Sequence, residues 1–343
     1  MSNHTTISID LAKETFQVAV FNKAGKVQSN REVSAVRMIN IIAQHPGAKI
    51  FMEACGSAHY WARRFTKQGH SVGLIPPHIA AKYRSGNKND KNDAIAIYEA
   101  SRCANLHCVE IRTLEQQDIA ALHKHREGYK KERNKIANRI RGFAREYGVN
   151  FPLGINALRK HVPEALEDAE NELTPVCREI LNELLEQLIR AIDLVHVATQ
   201  KIERLAKTIE PCTRLVAMPG ISWLSASMLY AKLGAGTAFK CGRDASASLG
   251  VVPAHSGSGG KVKIGRITKR GDTYLRSLLT NGARAVVVNI KEKTDGLSCW
   301  IRTLQTTKNF NITVIAVVNK LVRMALAILK SGQRYRTPVA QAA

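Results

Sequence analysis

Residues Arg84 to Ala100, RSGNKNDKNDAIAIYEA, set two acids, Asp90 and Asp93, three positions apart at the head of an apolar-periodic segment. Asn89 or Asp90 can cap the helix that Ala94, Ile95, Ile97 and Tyr98 continue, and residues three apart share one helical face. Both carboxylates then point the same way. Like charges about 4 Å apart repel by roughly 1 kcal/mol in water and about 4 kcal/mol near a protein surface, so the pair calls for a cation. A solvated first turn is the plainer alternative, because acids suit the helix dipole there.

The sequence upstream decides between these readings. From Thr5, TISIDLAKETFQVAVFN gives two β-rich runs around a polar turn, KVQSNREVS gives a third, and AKIFMEA (Ala48 to Ala54) is an apolar run fit for a buried strand. Val36 to Gln44 and Ser57 to Gln68 are helical in period, and SVGLIPP supplies a fifth strand stopped by Pro76 and Pro77. The order is β-β-β-α-β-α-β-α, ending in the helix with Asp90 and Asp93. Asp10 closes the first strand and Glu53 the fourth. If those strands are neighbours, both acids emerge at one sheet edge, under the helix that follows strand five. This order resembles the RNase H fold in its RuvC-like form, whose Asp, Glu, Asp, Asp metal set corresponds here to Asp10, Glu53, Asp90 and Asp93. Four such carboxylates suit two Mg²⁺ (or Mn²⁺) ions about 3.5–4 Å apart.

The chain has 343 residues, with 51 Lys+Arg against 28 Asp+Glu and a formal charge of +23. That excess favours a polyanionic partner, nucleic acid first and a membrane surface second. No run of about 18 apolar residues and no N-terminal h-region is evident, so a cytoplasmic location is expected. The seven cysteines are odd in number and lack a CxxC pair, which argues for reduced thiols. Cys103, His107, Cys108 and His123 have the wrong spacing for the common zinc patterns.

Two long helices are expected next. Leu114 to Tyr147 carries Ile119, Leu122, Tyr129, Ile136, Ile140 and Phe143 on one stripe, with Lys124, Arg126, Lys130, Lys131, Arg133, Lys135, Arg139, Arg141 and Arg145 elsewhere. Thr174 to Ile209 repeats the pattern with Leu181, Leu185, Leu188, Ile192, Val195, Ile202 and Ile209. Such stripes suit a helical hairpin or a coiled-coil seam between protomers. The single-signed first helix suggests a phosphate-facing surface, with Arg133 and Arg139 as its representatives. Phe151 to Pro163, with Pro152, Gly154 and Pro163, reads as a turn region.

Beyond Pro211, LVAMPGISWLSASMLYAKLG (Leu215 to Gly234) places a Pro-Gly-Ile turn between helical stretches, similar to a helix-hairpin-helix. Val252 to Arg276 is VPAHSGSGGKVKIGRITKRGDTYLR, in which Lys261, Lys263, Arg266, Lys269 and Arg270 surround glycines and two serines with no acid before Asp272. Glycines admit a phosphate closely, cations neutralise it, and a serine there can attack it. Composition fits equally a basic flexible loop that only grips DNA. Apolar helices follow, one from Thr273 that carries Arg276 on a different side and one from Asn311 to Leu329, and the tail after Lys330 is basic.

Together these stretches resemble the transposases of insertion-sequence family 110, subgroup 1111, to which the Piv-type DNA invertases are related. The likeness runs through SIDLAK, FMEACGSAHYWA, NKNDKNDA, QQDIAALHKHRE, NRIRGF, MPGISWLSA, SLGVVPAHSGSGGK and GRITKRGDTYLRSLLTNGARA. The resemblance implies a RuvC-like domain over 1–112, a helical coiled-coil region over 113–210, a mostly helical serine-bearing transposase domain over 211–332, and a basic tail over 333–343. The family's Ser-Ser-Gly-Gly-Lys pattern is written here as Gly257-Ser258-Gly259-Gly260-Lys261. Anchoring on the last three residues makes Ser258 the nucleophile, with Ser256 the runner-up because glycine replaces the preceding serine. Implied as well are DNA strand exchange through a covalent phosphoserine, guidance by a structured noncoding RNA that pairs with donor and target DNA, and assembly as dimers and tetramers. Lys261, Lys263, Arg266, Lys269, Arg270 and Arg276 would contact nucleic acid. The competing expectation is a RuvC-like, metal-dependent junction or strand nuclease in which the serine loop only binds DNA.

Overall fold

The computed structural model describes residues 5–87, 89–104, 106–258 and 261–337, without the side chains of Ser258 and Val262. The chain divides into two compact units, Met1–Leu114 with Leu233–Cys241, and Glu115–Lys232 with Gly242–Ala343.

The first unit is built on a five-stranded mixed sheet. Its strands β1 (Thr6–Leu11), β2 (Thr15–Phe21), β3 (Val27–Ser34), β4 (Lys49–Glu53) and β5 (Ser71–Ile75) lie in the order β3-β2-β1-β4-β5. The first three are antiparallel, whereas β4 and β5 run parallel to β1 and therefore need crossovers. Helices α1 (Ala35–Ala43) and α2 (Ala58–Lys67) supply them. The two-residue period of the strands sends Ile7, Ile9, Val18, Ile50 and Met52 into one core with Met38 and Ile42 of α1 and Trp61 and Phe65 of α2. A short helix α3 (Pro77–Ala80) and a 3-10 turn (Ala81–Tyr83), not expected from the sequence, lead toward α4 (Asp90–Ser101).

Alternate residues of β1 and β2 serve α4. Ala19 and Phe21 cluster with Ala94 and Tyr98, and the Phe21 and Tyr98 rings stack with centroids 3.5 Å apart. Ser8 is fully buried and donates its Oγ–H to the Ala94 carbonyl at 2.6 Å. A hydroxyl in an apolar strand needs such a partner, and this one fixes the height of α4 over β1. The returning segment Leu233–Cys241 is tied to the same unit, where Thr237 Oγ1 donates to Glu110 Oε1 at 3.4 Å.

In the second unit α5 (Leu114–Glu146), α6 (Ile155–Glu167) and α7 (Pro175–Thr208) share a core of Ile136, Ile140, Ala144, Leu158, Val162, Leu181, Leu184 and Leu188. The helix α6 corrects the expected turn over Phe151 to Pro163. Pro163 sits inside it and forfeits one backbone hydrogen bond, at a typical cost of about 3 kcal/mol. Burial of Leu158 and Val162, one turn apart and with no exposed surface, offsets that cost. On α5 the expected stripe is partly turned: Ile119, Ile136 and Ile140 are buried, but Phe143 is exposed, and Gln116, His123, Ala137 and Ala144 take the inward positions instead.

The remainder comprises α8 (Glu210–Val216), α9 (Trp223–Leu233), α10 (Gly242–Ser248), a hairpin of β6 (Pro253–Ser258) and β7 (Lys261–Ile267), α11 (Thr273–Val288), α12 (Gly296–Thr307) and α13 (Phe310–Ser331). The α13 helix corrects the expectation that no long apolar run exists, since an 18-residue window has mean hydropathy 2.0. Val314, Val317, Val318, Leu321, Val322, Ala325 and Leu326 are buried, and α13 packs on α8, α10, α11 and α12. That is how a core helix behaves.

The expected Pro-Gly-Ile turn lies between α8 and α9. Gly220 has φ +74°, and a Cβ there would come within 2.7 Å of the Gly282 carbonyl oxygen of α11. A Cβ on Gly282 would in turn collide with the Gly220 backbone. In an ordinary helix, Gly→Ala stabilises by about 1 kcal/mol. At Gly282 the sign reverses: Gly282→Ala is expected to destabilise by about 1–3 kcal/mol, read as a lower midpoint in denaturant unfolding.

Candidate metal centre and nucleic-acid interface

The β1–β4 register pairs Ile9 with Met52, so the next residue of each strand, Asp10 and Glu53, leaves the sheet at the same edge. Asn89 caps α4 by accepting the Asn92 backbone N–H at 2.8 Å, and Asp90 and Asp93 occupy its first turn. Asn30 Nδ2 also donates to the Lys91 carbonyl at 3.1 Å, tying the helix start to β3. The outcome is that ligand oxygens of Asp10, Asp90 and Asp93 lie within 4.8 Å of one another. Glu53 stays outside that group of three and acts on Asp10 through its charge.

Asp10 records the crowding. Its carboxyl pKa rises to about 6, first through burial and then through the charges of Asp93, Asp90 and Glu53. The cation that the acid pair calls for comes from the same stretch of sequence: Arg84 Nε donates to Asp93 Oδ1, and the Asp93 side chain is 14% exposed. The sequence shows Arg84 nine positions before Asp93, but spacing across an irregular loop carries no periodicity that would pair them.

These residues fit a divalent ion. The donor set is oxygen only, as hard cations such as Mg²⁺ and Mn²⁺ prefer, and three close carboxylates need more positive charge than one guanidinium provides.

The serine-bearing stretch forms an antiparallel ribbon rather than a loop. Its register pairs Ser256 with Lys263 and Ser258 with Lys261, and Gly259 and Gly260 lie outside the described residues. Lys261, Lys263, Arg266, Lys269 and Arg270 are exposed, and Ile264 is 72% exposed, so the ribbon buries neither face in a core. At its base Lys269 N–H donates to the Gly250 carbonyl at 3.1 Å, and Gly250, at φ +67°, would carry a Cβ into the Arg270 backbone. Arg276 is turned into that base, with Nη1 donating to the Leu249 carbonyl at 2.9 Å and to the Arg270 carbonyl at 3.2 Å.

Behind the ribbon, α11 is fastened by a buried polar network that sequence reading missed. His123 Nε2 meets Ser227 Oγ at 2.9 Å, and its Nδ1 meets the Tyr274 hydroxyl at 2.9 Å. Ser227 donates to the Leu224 carbonyl at 3.1 Å, so its oxygen is left to accept from His123 Nε2–H, and Nδ1 accepts from Tyr274. Burial, then the charge of Arg126, holds the imidazole pKa down to about 4, which keeps it neutral in that tautomer. Outward on α5, Lys124, Lys131, Lys135, Arg139 and Arg145 are exposed, while Arg133 is half-buried and holds Asn134 Oδ1 at 3.0 Å.

Comparison with known proteins matches both parts of the chain. A family model described as transposase, of the DEDD type in the IS110 group, matches residues 7–149, and one described as the IS116/IS110/IS902 transposase family matches 212–296. The chain is 34% identical to the transposase for insertion sequence element IS1111A of Coxiella burnetii, across 98% of this chain and 92% of that one. It is 35% identical to a probable family 20 transposase of Pseudomonas aeruginosa, over 97% and 99% of the two chains. Identity to the transposase for IS1328 of Yersinia enterocolitica is 33%, over 97% and 98%.

The raised Asp10 pKa gives a test with a definite sign. An acid whose folded pKa lies near 6, above its unfolded value near 3.8, stabilises the fold below the lower value and loses that contribution as pH rises through the upper one. With chelator present, Asp10→Asn is therefore expected to melt higher than the wild type at pH 7.5 but not at pH 4.5. Thermal melts should also show Mg²⁺ raising the wild-type midpoint at pH 7.5 and hardly at pH 4.5.

Proposed function

The chain belongs to the IS116/IS110/IS902 transposase family and is an insertion-sequence transposase; we propose that it exchanges DNA strands through a covalent phosphoserine, with a divalent metal held by its acids and a noncoding RNA choosing the sites. The observation that carries the chemical part is the gathering of Asp10, Asp90 and Asp93 at one edge of an RNase H-like sheet, with Glu53 leaving the adjacent strand. Asp10, Glu53, Asp90 and Asp93 would hold Mg²⁺ or Mn²⁺. Such an ion supplies Lewis-acid polarisation of a phosphate oxygen and offsets charge on the oxygens that attack and leave.

The other steps belong to the chain. Ser258 Oγ gives up its proton as it bonds to phosphorus; one backbone P–O bond breaks, and the departing sugar oxygen takes up a proton. The phosphodiester becomes a phosphoserine diester of similar energy, so rejoining to another strand needs no nucleotide triphosphate. Lys261, Lys263, Arg266, Lys269 and Arg270 would neutralise the phosphate as it becomes pentavalent, as fixed cations do in phosphoryl transfer. The ribbon's two exposed faces and its lack of acids support this reading. Sequence choice would come from base pairing, the protein reading backbone and helix shape. Val176 and Ile180 near the start of α7, and Leu194 and Val197 further along it, are exposed apolar side chains that would serve assembly as a dimer or tetramer in the cytoplasm.

Ser258→Ala is expected to abolish the protein–DNA adduct trapped on denaturation while leaving nucleic-acid affinity within about twofold. Ser256→Ala should retain the adduct, and loss of it there alone would move the nucleophile to Ser256. A hydrolytic nuclease would yield no adduct from the wild type. On α5, Glu substitutions at Arg133 and Arg139 should flatten the dependence of log affinity on log salt, by about 0.9 for each phosphate no longer neutralised, in a titration against duplex DNA.

A further inference from the structure

Arg84 occupies a position where two binding events meet. The loop ahead of α4 folds back on itself: Gly86 takes φ +82°, the Asn87 carbonyl accepts from Asn92 Nδ2 at 2.8 Å, and Asn89 caps the helix. That clamp delivers the Arg84 guanidinium to Asp93, where the two side chains are 26% and 14% exposed. A pair so shielded from water is held more firmly than one on open surface. Yet Asp93 is also one of the three acids whose oxygens converge within 4.8 Å. A guanidinium bonded to that carboxylate occupies one of its oxygens and repels a dication arriving at the other two acids. The same planar fork is well matched to the oxygens of a phosphate, and its loop lies at the rim of the sheet edge where the acids emerge.

We infer that Arg84 is a tethered counter-cation which competes with the divalent ion for Asp93, so that a nucleic-acid phosphate drawing the guanidinium away opens the site to metal. The inference rests on the metal-centre reading above. Because linkage is reciprocal, whatever factor the nucleic acid adds to metal affinity, the metal adds to nucleic-acid affinity. The ion is thereby taken up on substrate and held poorly without it, which limits stray hydrolysis by an idle enzyme.

The test is Mn²⁺ binding to the full chain, followed by electron paramagnetic resonance, with and without a short DNA duplex. Without DNA, Arg84→Gln should bind Mn²⁺ about tenfold more tightly than the wild type. Adding DNA should tighten the wild type by a similar factor and leave Arg84→Gln nearly unchanged. Arg84→Lys keeps a cation in the loop and should stay close to the wild type, with a DNA response, which preserves the test if the glutamine variant folds poorly. Unchanged or weaker Mn²⁺ binding in Arg84→Gln, or an equal DNA effect in both proteins, overturns the inference. Asp10→Asn separates the two ideas. If it abolishes Mn²⁺ binding while Arg84→Gln behaves as the wild type, only the role of Arg84 falls; if the wild type binds no Mn²⁺ at all, the metal-centre reading falls with it.

Discussion

Repulsion among three carboxylates is the interaction around which the first unit is arranged. Nothing in Asp10, Asp90 or Asp93 favours their approach, so the rest of the unit must impose it. The Ser8–Ala94 hydrogen bond, the stacked Phe21 and Tyr98 rings and the alanines of α4 bring the helix down onto β1. The Asn89 cap and the Asn30–Lys91 hydrogen bond then fix where its first turn ends up. Stability gathered in the apolar packing is spent at the sheet edge, as is usual where charge must be concentrated for chemistry.

The second unit handles its charge differently. Basic side chains reach solvent on the acid-free ribbon and along α5, where Lys124, Lys131, Lys135, Arg139 and Arg145 are exposed, so they cost little until a polyanion arrives. What the unit does hold rigid is the ground beneath them. The close backbone crossing of Gly250 with Arg270, the inward-turned Arg276 and the neutral His123 between Ser227 and Tyr274 anchor the ribbon and α11. A two-stranded ribbon without a core is marginal in water, so a firm base matters for one that presents side chains to a partner.

The strand order was legible because the sheet writes its faces in alternating residues, and the positions of Asp10 and Glu53 because they fall near strand ends, while Asp90 and Asp93 head a capped helix. Ser8 is one exception inside that pattern, a polar residue at a buried position, and only the partner on α4 explains it. The helix α6 was hidden by Gly154 and Pro163, which punctuate the sequence more loudly than Leu158 and Val162 mark a buried face. The ribbon was hidden for the opposite reason: with both faces exposed, no apolar stripe announces a strand, and its glycines and lysines read as a loop. Arg84 stood in plain view within the deciding stretch, but a pairing across a folded-back loop is set by φ/ψ choices at Gly86 and the Asn87–Asn92 clamp. Those are tertiary facts without a linear signature.

The return of Leu233–Cys241 to the unit that begins the chain has a consequence for synthesis. That unit is discontinuous, so a ribosome must release well over a hundred further residues before the earliest-made part has its last piece, including the Thr237 hydrogen bond to Glu110. A nascent chain stalled before that point carries every acid of the cluster in an unfinished host. The unit that hosts the acid cluster is in this way completed only after much of the second unit has been made, even though its acids are encoded first.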